Sequence, residues 1–265
     1  MSQPDEAEIS LWIDTAEKCA KALKSGIEAQ DFYVAANVAT SSVPFSHVTK
    51  AFHVHEAVLT LCRAGFGSEA YALSRLILEM YLTLRWITND DQVNRAEEYA
   101  LFVAKRKEYL AKMIEKYQPG TTQAADAVNH VQNLYKTYAD KYKRFTFWCN
   151  KASSLKEMAQ EEEALYGPLA APNNNGMYLY ELPYSSASDH VHCTSVALDN
   201  VYPVIGVPYR ISRAKEYGLI RDAVFTATQF LISIVLRVDT FRQLGLQQEI
   251  ENAYNPFKEL VDPTP

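Results

Sequence analysis

Glycine and proline are scarce, nine and eleven among 265 residues. A many-stranded sheet needs more turn chemistry than that, so the composition points to helices. Cysteine is scarce too. Cys19, Cys62, Cys149 and Cys193 each stand alone. That spacing excludes a zinc ribbon and a disulfide framework and fits a reducing cytoplasm. An excess of positive charge is missing: Lys and Arg number 26 against 32 Asp and Glu, a net charge of −6. A protein held mainly by phosphate contacts is usually basic, so nucleic acid is not the expected partner. No apolar run reaches a membrane span. The strongest, at 223–238, contains Thr, Gln and Ser and reads as a core helix. The start, "MSQPDEAEIS", is acidic and lacks the apolar stretch of a signal peptide. No repeat, low-complexity segment or linker divides the chain, so a single domain over 1–265 is the simplest organisation.

What is present is helical spacing. Ile9, Trp12, Ile13, Ala16, Ala20 and Leu23 make an amphipathic stripe over 5–28. Pro44 suits the start of a helix over 45–64, which Gly65-Phe66-Gly67 ends. Further helices are expected over 68–88, 90–117 and 121–143. Ser154 and Glu157 have capping-box spacing for a short helix. Pro183 suits the start of another. Two more follow over 215–243 and 247–259. Two Pro and a Gly interrupt 200–211, which leaves at most a small β-ribbon there. The expected fold is all-α, a multi-helix bundle around a central buried helix.

That central helix is 68–88. Leu73, Ile77, Met80, Leu84 and Ile87 share one face, and Leu78 and Leu82 lie on another side. Ser74 and Arg85 mark its wet strip. Arg75 and Glu79, spaced to pair at i,i+4, share a third side with Trp86. The arrangement fits a surface ion pair beside a Trp and, as well, a half-buried pair at the floor of a pocket. On the preceding helix, His55 falls in a stripe with Val48, Phe52, Leu59 and Cys62 and reads as a bonded core histidine.

The densest polar chemistry is "YSSASDHVHC" at 184–193. As a helix it lines up Tyr184, Ser188 and His192 at i,i+4,i+8. His190 then points about 200° away from His192, so the two do not share a metal. No metal site is expected. Asp189 is placed to reach His192 and set its tautomer.

Together these segments resemble an uncharacterised, mainly bacterial, all-helical family, domain of unknown function fifty-six seventy-seven, over roughly residues 50–200. One half of the likeness is "HEAVLTLCRAGFGSEAYALSRLILEMYLTLRWI", with Glu69-Ala70, Arg75 and Glu79. The other is "WCNKASSLKEMA", then Tyr178 or Tyr180, then Tyr184, Ser188 and His192. The "LPY" lead into the last motif is unusual, and the C-terminal third carries no matching motif. The family has no settled activity. The resemblance implies a fold and site positions, with Arg75, Glu79, Tyr184, Ser188 and His192 converging; His55 and Asp189 are secondary candidates.

Two functions compete. One is a binding or interaction module, able to form a homo-oligomer, whose polar pocket takes a small anionic ligand or a partner peptide with no cofactor. The alternative is a metal-independent, RNase-like or other hydrolytic enzyme of a bacterial defence or toxin type. Arg75 would clamp phosphate, His192 would act as base and Glu79 would assist. No Arg is followed four to six residues later by a His, the spacing such nucleases use. The segment 135–151, "YKTYADKYKRFTFWCNK", interleaves basic and aromatic residues, as nucleic-acid surfaces do. The favoured reading is a solvated helix end with a few core aromatics. A ferritin-like centre needs Glu-x-x-His, which is absent. Phosphate-binding loops and serine elbows are absent as well.

Overall fold

The computed structural model describes residues 5–30, 38–89, 92–122, 125–126, 129, 149, 152–166, 176–191 and 217–261. Among them there are helices and no strand. In chain order these are α1 (Glu6–Glu28), α2 (Val38–Arg63), α3 (Gly67–Asn89), α4 (Gln92–Tyr117), α5 (Leu155–Tyr166), α6 (Gly176–Leu179), α7 (Ser185–Val191), α8 (Tyr217–Arg242) and α9 (Gln247–Val261). A π-helical turn, Tyr180–Tyr184, joins α6 to α7. Most of the expected 121–143 helix and the 200–211 ribbon lie outside the described residues.

Local chemistry sets the ends. Asp5 caps α1 by accepting the Glu8 N–H at 2.8 Å. Gly65, at φ 85°, turns the chain between α2 and α3. The Phe66 N–H donates to the Leu61 carbonyl at 2.9 Å, closing the end of α2. At the start of α5 the capping box forms one residue wider than its spacing suggests. Ser154 Oγ accepts the Glu157 N–H at 3.2 Å, while Glu157 reaches back to the N–H and hydroxyl of Ser153. Replacing Ser154 by Ala is expected to cost about 1 kcal/mol, read as a lower midpoint in urea.

Both prolines expected at helix starts lie inside helices. Pro44 falls in the second turn of α2, which began earlier, at Val38. Pro183 sits in the π turn. A proline ring clashes with the carbonyl four residues back, and widening that turn relieves the clash.

The core is built on α3. It packs most closely on α8, then on α2, and α2 also packs on α8. Pair contacts give the directions. Tyr81 meets the Phe230 ring at 5.4 Å, and Arg237 donates to Thr88 Oγ1 at 2.6 Å and to Asn89 Oδ1 at 2.9 Å. Those numbers rise together, so α3 and α8 run parallel. His55 bonds Thr228 at 3.0 Å while Cys62 donates to the Ile220 carbonyl at 3.9 Å, so α2 runs antiparallel to α8. Trp12 packs edge-on to Phe257 at 5.8 Å, and α1 meets α9 antiparallel. A Cβ at Gly26 would come within 3.2 Å of Glu249 Cβ, a measure of how near α1 and α9 approach. One apolar cluster runs from Ile9 to Phe257.

The wet strip expected on α3 is dry. Ser74 is fully buried and donates to the Tyr71 carbonyl at 2.7 Å, so its hydroxyl is satisfied within its own helix. Arg85 is buried too, with its guanidinium 5.5 Å from the Tyr81 ring centre. Helix α8 is longer than its apolar run. By length and composition it could cross a membrane, yet 61% of its most apolar window is buried inside the fold, as in a core helix.

Candidate functional site

The stretch 180–191 lies antiparallel across the N-terminal half of α3, and three contacts fix its register. Ser68 Oγ and His190 Nδ1 are 2.8 Å apart. The Tyr71 and His190 rings meet edge-on at 5.6 Å, with the Ser186 side chain near the Tyr71 phenol. Arg75 Nη2 donates to the Tyr184 hydroxyl at 2.7 Å. On α3 these residues step by three and four, one helical stripe that Glu79 continues. On the other side, Tyr184, Ala187 and His190 step by three, with Ala187 fully buried at the centre.

Arg75 is the charged centre of this contact. Its guanidinium lies 4.6 Å from the Tyr184 ring centre, and that ring stacks on Tyr180 at 5.0 Å. Glu79 Oε2 stands 3.9 Å from Arg75 Nη2, at the outer limit of an ion pair. The Arg75 side chain is 18% exposed and that of Glu79 44%, so the carboxylate forms the solvent side of the pair. Arg75 Nε is buried without a hydrogen-bond partner among the described residues. Burial raises the Tyr184 phenol above its usual pKa; the Arg75 bond opposes the shift and the Glu79 charge adds to it. Burial likewise raises Tyr99 on α4, with Glu79 again adding. Glu79 thus lies within electrostatic reach of two phenols. Tyr99 meets the His47 ring at 5.1 Å.

The candidates drawn from sequence divide. Arg75, Glu79 and Tyr184 come together. Ser188 and Asp189 are half-buried on the flank of the Ala187 face. His192 lies outside the described residues, so the geometry of a shared His190–His192 site and of the Asp189–His192 contact does too. Among the described residues no group of three or more His, Cys, Asp or Glu could hold a metal. Trp86 belongs elsewhere. Arg95 stacks 3.8 Å over its ring, donates to its carbonyl at 2.7 Å and approaches Glu161 at 3.9 Å. His55 is buried in the core against Thr228. Desolvation lowers its pKa to about 4. An open groove along α2, from Ser42 to His53, contains none of the site candidates.

Sequence reasoning missed Ser68, Tyr71 and His190. The signal was Ala187, the one small apolar residue in a polar run. A small residue marks where two helices approach, and His190, three positions on, shares its face.

A family model described as "Family of unknown function (DUF5677)" matches residues 41–202. The match takes in both sides of the α3–α7 contact. No curated protein and no solved structure matches the chain.

Proposed function

We propose that this chain, which belongs to the family of unknown function DUF5677, is a binding module that holds a small oxyanion at Arg75. The observation that carries the reading is the state of that side chain: mostly buried, bonded to Tyr184, loosely paired with Glu79, and with Nε unpartnered among the described residues. A guanidinium has five N–H donors in a planar fork. A buried donor left unsatisfied costs about 1–3 kcal/mol, and a bound oxyanion supplies the missing acceptor. Aromatic faces at Tyr180 and Tyr184 border the site. The reading needs neither a nucleophile nor a cofactor. The same proposal places the protein in a reducing cytoplasm and away from membranes. The buried free thiols of Cys19, Cys62 and Cys149 and the burial of α8 support it.

Calorimetric titration with inorganic phosphate tests the reading. Wild type is expected to bind and to gain thermal stability as phosphate rises. Arg75→Ala is expected to lose both responses while costing only about 1 kcal/mol of stability, because Glu79 is half exposed and solvates readily. Equal phosphate binding by wild type and Arg75→Ala would refute it.

A further inference from the structure

We infer that Glu79 is a built-in competitor at Arg75, and that the ligand which displaces it is a dianionic, tetrahedral oxyanion of the phosphate class rather than a carboxylate. The inference rests on the oxyanion reading above.

Three features support it. First, Glu79 follows Arg75 by one helical turn, so its carboxylate is tethered beside the guanidinium and competes at high effective concentration. Second, its hold is loose. A separation of 3.9 Å and 44% exposure describe a carboxylate that can turn to water at small cost. Third, the place it occupies offers more than it uses. Tyr184 accepts the Arg75 N–H through its oxygen, which leaves the phenolic proton to donate. Burial and the Glu79 charge both favour that protonated form. An anion that takes the place of Glu79 approaches Arg75 Nη2, the nitrogen that also bonds the Tyr184 hydroxyl.

Charge sets the selectivity. With Glu79 in place, the pair is neutral. A monoanionic carboxylate arriving from solution replaces one carboxylate by another and loses its own freedom on binding, so it gains little. A phosphate dianion brings twice the charge, and its oxygens can accept from the guanidinium and the phenol at once. Glu79 therefore acts as a filter on ligand charge. Its removal is expected to tighten phosphate binding and to admit carboxylates.

The test is calorimetric titration of the full chain with inorganic phosphate and, separately, acetate at pH 7.5. It compares wild type, Glu79→Gln and Arg75→Ala. Glu79→Gln keeps the shape of the side chain at a half-exposed position. It is expected to bind phosphate about fivefold more tightly, the equivalent of losing one surface ion pair, and to bind acetate, which wild type does not. Arg75→Ala is expected to bind neither. Wild-type phosphate binding left unchanged or weakened by Glu79→Gln would overturn the competitor role while leaving the oxyanion site standing. Phosphate binding by none of the three proteins would overturn the site and the competitor together.

Discussion

Between pH 7 and pH 4 the protein is expected to lose about 3 kcal/mol of folding stability through His55 alone. The ring is buried between α2 and α8, with Nε2 3.0 Å from Thr228 Oγ1. Desolvation lowers its folded pKa from 6.5 to about 4. The folded state therefore keeps the ring neutral where the unfolded chain takes up a proton. Stability from this group is complete above pH 6.5 and falls away as the pH drops toward 4. A difference of about 2.5 pKa units, at 1.36 kcal/mol each, sets the size. His47 is lowered by burial too, its ring held by a 2.8 Å bond to the Val43 carbonyl, and it adds loss of the same sign. Urea unfolding at pH 7.5 and pH 5 reads the summed effect of the buried groups, His47 and the raised carboxyl of Asp222 included, and a variant at His55 separates its share. His55→Gln retains a polar partner for Thr228 and should lose about 2 kcal/mol less over the interval than wild type. Equal losses in the two proteins would show that His55 does not titrate on unfolding.

Phe257→Ala is expected to destabilise the protein by about 3–5 kcal/mol, the usual cost of emptying a buried phenyl site. Phe257 is fully buried on α9. Its ring stands edge-on to Trp12 of α1, with an interplanar angle of 86°, and stacks on Phe225 of α8 at 6.4 Å. One side chain thus joins three helices that lie outside the family match at 41–202. They still belong to the same core, since α8 is the main packing partner of α3. Phosphate affinity of Phe257→Ala should stay at the wild-type value at a temperature where the variant is folded. A loss of stability below 1 kcal/mol in chemical denaturation would contradict this placement of α9.

Much of the frame was legible in the sequence. The nearly all-round apolar surface of 68–88 marks a central helix, and α3 is one. Its wet strip was not legible. Ser74 and Arg85 look like solvent-facing residues by type. One satisfies its hydroxyl on its own helix and the other lies beside a tyrosine ring. Residue type alone does not reveal either partner. Proline misled for a related reason. It marks a first turn well, but a helix can begin earlier, as α2 does, or widen locally, as at Tyr180–Tyr184. Arg75 and Glu79 were legible as a pair because their spacing lies within one helix. The face of 184–191 that meets them was harder to find. Polar residues surround that segment, and the choice between the Ser188 side and the His190 side depends on where Ala187 is buried, which is a tertiary fact.

On the proposed reading an oxyanion sits on Arg75 in the place Glu79 now holds. Crystals of the full chain soaked in tungstate, with data collected at the tungsten edge, test it directly. An anomalous peak is expected within hydrogen-bond distance of the Arg75 guanidinium and the Tyr184 hydroxyl, with Glu79 turned toward solvent. Tungsten bound elsewhere or nowhere, with Glu79 still beside Arg75, would contradict it.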